Sequence, residues 1–79
     1  MPLDDLVVGN ESFRVEWVQE FLIEEVSGPG VERLAQVGAT GYFGSITAEA
    51  LRDYQTTVGI PATGNYDGLT RLAIFLFDL

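Results

Sequence analysis

The sequence predicts an all-α fold, a small three-helix bundle with a long loop between the first and second helices, and three observations carry that reading. Ile46, Ala50, Leu51, Tyr54 and Val58 recur at helical spacing while Glu49, Arg52 and Asp53 fall on the opposite face, so one side packs and the other is wet. The stretch returns 23 residues later: Gly64, Tyr66, Leu69, Thr70, Ala73 and Ile74 stand where Gly41, Phe43, Ile46, Thr47, Ala50 and Leu51 stood. A third stripe, Val15, Val18, Leu22 and Val26, steps by three and four and is widened by Trp17 and Phe21.

Taken in order, residues 1–11 are a lead-in with apolar Leu3, Leu6, Val7 and Val8, read either as an extended arm packed on the bundle or as a linker from a larger polypeptide. The domain proper spans residues 12–79. The first helix is expected from about Ser12 to Val26, with Asn10 or Ser12 as its N-cap. Glu16, Glu20 and Glu24 stack along a second face, which reads as solvated. Ser27, Gly28, Pro29 and Gly30 end the helix, because glycine tolerates the left-handed C-terminal position and proline cannot continue the hydrogen-bond ladder. The loop to Thr40 contains VERLAQVG, which has the composition of one short helix, Val31 to Val37.

The turn Gly41 to Gly44 brackets Tyr42 and Phe43 and opens the second helix, about Ser45 to Val58, which Gly59 and Pro61 close. The third helix, about Gly68 to Phe77, takes Asp67 as its cap, since that carboxylate can accept from the free amides three residues on. Leu69, Leu72, Ala73 and Leu76 are expected to face the bundle. Ile74, Phe75, Phe77 and Leu79 cannot all do so as well. Phe75 and Phe77 point about 200° apart, so at least one should contact the arm or a second chain. The expected core is Val18, Leu22, Phe43, Ile46, Leu51, Tyr54, Leu72 and Leu76.

Composition narrows the function. Formal net charge is −8, with twelve acids against four arginines and no lysine, so the clustered positive charge that displaces counterions from phosphates is missing and nucleic acid is not an expected partner. Acidic balance also disfavours anionic lipid, and no stretch is long enough to span a bilayer. Cysteine and histidine are both absent, which removes thiolate metal sites, disulfides, the commonest general base and the commonest metal ligand. No catalytic residue, metal site or cofactor is assigned. The start, MPLDDLVVGN, lacks the basic and apolar regions of a signal peptide, so any export is expected to be encoded elsewhere or to proceed by another route.

The ordered set of Val15, Val18, Gln19 and Leu22, then Gly41, Phe43, Gly44, Thr47, Ala50, Leu51, Tyr54 and Gln55, then Gly59, Ile60, Pro61, Thr63, Gly64, Tyr66, Thr70 and Ala73, resembles the three-helix peptidoglycan-binding domain family over about residues 13–76. The resemblance implies a noncatalytic module that docks on bacterial cell wall peptidoglycan, through glycan or stem peptide, and a location in the cell envelope or outside the cell. Two departures stand out: the link from Glu24 to Thr40 is longer than the family's shortest forms, and Thr40 replaces an aspartate often found before the turn glycine.

Phe43 and Tyr66 occupy equivalent positions and read as core plugs, which leaves Tyr42 and Asn65 beside them as exposed contacts. Tyr42, Gln55, Asn65 and Arg14 are the candidate ligand-binding residues. Gln19 and Gln55 also suit a structural role, because a primary amide can satisfy both donors and acceptors of buried loop backbone. The alternative function is a structural or protein–protein interaction domain within a larger assembly, motivated by the apolar third helix, the net charge and the absent export signal, with Phe75 and Phe77 as the residues through which a protein partner or a second copy would attach.

Overall fold

In the computed structural model, which describes residues 1–78, the chain is all-helical and no strand forms among the described residues. Among the described residues four helices are present where three were expected: α1 (Phe13–Glu25), α2 (Pro29–Val37), α3 (Ser45–Val58) and α4 (Gly68–Phe77). The added element is α2, which occupies most of the expected loop and begins two residues before the short helix that VERLAQVG suggested. Its start suits the sequence, because proline at the first helical position gives up an amide that has no partner there anyway.

Local chemistry sets the helix starts. The Ser12 hydroxyl accepts from the amides of Arg14 and Val15, and Gly44 opens α3 without a side-chain cap. Asp67 accepts from the Thr70 amide at 3.0 Å and from the Thr70 hydroxyl at 2.8 Å. Burial alone would push its carboxyl up, but the bonds from Thr70 and Thr63, with Arg71 nearby, outweigh burial and hold it below the ordinary carboxylate range. The start of α2 is capped from outside its own segment: Asp53 of α3 accepts from the Val31 amide at 3.0 Å. The two helices touch closely, since a Cβ on Gly30 would lie 2.8 Å from the Glu49 backbone. Any larger residue there would push α2 off α3.

The core gathers Val15, Val18, Phe21 and Leu22 of α1, Val31 and Leu34 of α2, Ala50, Leu51 and Tyr54 of α3, and the two plugs Phe43 and Tyr66, which are both 0% exposed. Trp17 stacks flat on Phe21 with centroids 5.8 Å apart, and Phe21 meets Tyr54 edge-on at 5.4 Å. Ile46, expected in the core, is half-buried and packs at its margin.

The register of α4 corrects the sequence reading. Thr70, Ala73 and Ile74 face inward, whereas Leu72 and Leu76, expected in the core, are 50% and 59% exposed, and Leu69 is outside as well. The reason is Thr70: its hydroxyl must meet Gln55 at 3.0 Å, and that turn of the helix carries Ala73 and Ile74 inward with it. Phe75 and Phe77 are 63% and 66% exposed, so the arm covers neither ring. Leu79 lies outside the described residues.

The arm instead runs across the two related turns. Leu6 and Tyr66 exchange both backbone hydrogen bonds at 2.9 Å, the Gly9 amide donates to the Phe43 carbonyl, the Phe43 amide donates to the Asn10 carbonyl, and the Ser12 amide donates to the Gly41 carbonyl. Leu6 is buried, and the Tyr66 hydroxyl donates to the Pro2 carbonyl at 2.7 Å. Burial pushes that phenol up to about 12, with Arg71 partly offsetting the rise.

Candidate binding site

Each of the two turns is held by a buried glutamine. Gly41 and Gly64 both sit at positive φ, +85° and +79°, where only glycine is unstrained. At the first turn the Gly41 amide donates to Gln19 Oε1 at 2.8 Å, while Gln19 Nε2 donates to the Tyr42 carbonyl and the Thr47 hydroxyl, both at 2.9 Å. At the second the Gly64 amide donates to Gln55 Oε1 at 2.9 Å, and Gln55 Nε2 donates to the Asn65 carbonyl at 2.8 Å and the Thr70 hydroxyl at 3.0 Å. One glutamine, one glycine amide, one carbonyl and one threonine make the same clamp twice. Each clamp presents the residue after its glycine, Tyr42 or Asn65, to solvent.

Beside the first clamp lies a groove of about 360 Å³, bounded by α2, the start of α3, the turn and Val8 of the arm. Leu34, Val37 and Ile46 supply its apolar wall, Thr40 and Ser45 bring hydroxyls, and Tyr42, 49% exposed, forms one side. Among the described residues no charged side chain lines it, in a chain whose net charge is −8. Shape, apolar contact and neutral hydrogen bonds are therefore the means of recognition it offers.

The expected site residues are dispersed. Tyr42 lines this groove. Asn65 is exposed on the second turn and does not line it. Arg14 is exposed on α1, pairs with Asp4 at 3.4 Å, lies over the Phe13 ring at 4.9 Å, and borders a smaller hollow with Met1, Pro2 and Trp17. Gln55 is fully buried and its amide is committed to the second clamp, so it acts by holding the Asn65 turn rather than by touching a ligand. The groove residues of α2, Leu34 and Val37, were missing from the sequence reading. The spacing of Val31, Leu34 and Val37 was the signal for them.

The family model described as "Putative peptidoglycan binding domain" matches residues 14–74. The chain belongs to this family. Neither a curated protein nor a solved structure matches the chain. The match takes in α1 after its first residue, α2, α3, both clamps and all but the last three residues of α4, so the repeated glutamine arrangement is part of the peptidoglycan-binding domain itself. The whole arm falls before the match, although its backbone completes both turns. Cell wall association is the setting the family suggests, and among the described residues no helix is long and apolar enough to cross a membrane.

Proposed function

We propose that this chain is a noncatalytic module that holds a protein on bacterial peptidoglycan, with the uncharged groove beside Tyr42 as its contact surface. The observation that carries the reading is the groove's neutrality. Wall polymer offers N-acetylated sugars and short peptides, whose amides and hydroxyls suit a wall of apolar side chains, threonine and serine hydroxyls and one half-exposed phenol. Asn65 and Arg14 stand on separate parts of the surface, where they would extend contact along a polymer rather than close around one unit. Attachment of this kind raises the local concentration of whatever the module is joined to.

Sedimentation with purified insoluble peptidoglycan tests the proposal. The wild-type chain should pellet with the polymer. Tyr42→Ala should keep its helical circular dichroism, because the ring is half exposed, and lose roughly fivefold or more in retention, equivalent to about 1 kcal/mol. A wild-type chain that stays in the supernatant overturns the function. Unchanged retention of Tyr42→Ala overturns the groove as its site.

A second reading, a protein-interaction domain, is favoured by one observation, the uncovered apolar side of α4.

A further inference from the structure

The internal repeat makes the outer face of α4 interpretable. Leu69, Leu72 and Leu76 stand where Ile46, Glu49 and Asp53 stand on α3. On α3 that face is the berth of α2: Asp53 caps the α2 N-terminus, Glu49 pairs with Arg33 at 3.6 Å, Gly30 approaches the Glu49 backbone, and Ile46 shares the groove with Leu34. The corresponding berth on α4 holds no helix among the described residues. Its three leucines are at least half exposed, and Phe75 extends the same side. Where α3 offers carboxylates to a polar-edged helix, α4 offers only hydrocarbon, so its occupant is a more apolar helix than α2.

We propose that this berth is filled by the α4 of a second copy of the chain, each α4 serving the other as α2 serves α3. Three observations select a second copy. The outer face of α4 is itself an apolar helix surface, so it is self-complementary about a two-fold axis. Between Gly68 and Phe77 the only charged residue is Arg71, so this is a face on which two chains of net charge −8 can meet without opposing carboxylates. The area is adequate: a full phenylalanine offers about 200 Å². Four apolar side chains half to two-thirds exposed then give roughly 400 Å² per copy, and with the rim the pair approaches the ~1,000 Å² at which specific interfaces begin. A weak, concentration-dependent dimer follows. It leaves the Tyr42 groove open on both copies, because no residue of α4 lines that groove.

Sedimentation velocity from about 1 μM to about 1 mM tests this. The wild-type chain should pass from monomer to dimer mass within that range. Leu72→Glu and Phe75→Ser should each remain monomeric throughout, with unchanged thermal unfolding at low concentration because both sites are exposed. Ala35→Glu adds the same charge at an exposed position of α2 and should still dimerise. A wild-type monomer at every concentration overturns the proposal and leaves the face for a helix of another protein. Dimers of both α4 variants, or loss of dimer in Ala35→Glu, also overturn it.

Discussion

Gln55 shows how one side chain can hold a turn. It receives the Gly64 amide and donates to the Asn65 carbonyl and the Thr70 hydroxyl, with its own side chain fully buried. Replacing it by leucine keeps the volume roughly and removes every partner at once. Each buried group left without a hydrogen bond costs about 1 to 3 kcal/mol, so Gln55→Leu should lower the urea midpoint markedly with the slope unchanged. Thr70→Val combined with Gln55→Leu should then cost less than the two changes summed, since both sever one network. Strict additivity would show that Thr70 is held by its own Asp67 cap alone. The structural use of the two glutamines was legible in the sequence, where each directly follows a core residue. Their partners were not, because a loop glycine amide has no sequence signature beyond the glycine itself.

At the level of elements, α2 was the least legible part of the chain. Its N-cap Gly28 and its first two residues, Pro29 and Gly30, look like breakers, and only Val31 and Leu34 of its apolar side chains reach the core. It is nevertheless integral. Leu34 is 1% exposed, so Leu34→Ala should cost about 2 to 5 kcal/mol, enough to be visible as a large fall in melting temperature. A cost under about 0.5 kcal/mol, the range of exposed substitutions, would mean that α2 rests on the bundle as a loop would. The register of α4 teaches the opposite lesson. The repeat aligns Thr70, Ala73 and Ile74 with Thr47, Ala50 and Leu51, and these are the residues found inside, whereas the expected core took Leu72 and Leu76 on the size of their apolar side chains. Leucine at positions 69, 72 and 76 misled because hydrophobicity marks a surface that wants a partner without naming which partner. Tyr42 was legible as a candidate because it is an aromatic beside a plug; Leu34 and Val37 join it in lining the groove only through the packing of α2.

Across the whole molecule, the arm joins what the repeat separates. Tyr66 reports on it, because its hydroxyl reaches Pro2 and its backbone pairs with Leu6. The folded phenol is raised to about 12 from its ordinary 10.0. The group favours its neutral form in the fold, so its contribution is complete below pH 10 and is lost as pH rises through 12. Alkaline titration by circular dichroism should show stability falling over that interval. Tyr54 is raised for the same first reason, burial, with its bond to Asp78 adding to it, and releases its proton later still. Tyr66→Phe should remove part of the decline above pH 10 at the expense of about 1 kcal/mol at neutral pH, the net worth of one hydrogen bond. An unaltered alkaline profile would show that burial of the Tyr66 phenol is not what makes the fold sensitive to high pH. The arm's pairing also orders events in time. The partners Pro2 and Tyr66 are separated by 64 residues, whereas each clamp and helix closes over far shorter stretches. Closing so long a loop is entropically dearest before the rest is in place, so the arm docks last when the chain folds and lifts first when it opens. The amides of Leu6, Gly9, Phe43 and Tyr66 then exchange with solvent as one unit ahead of α3, and the two turns loosen together through a segment that belongs to neither.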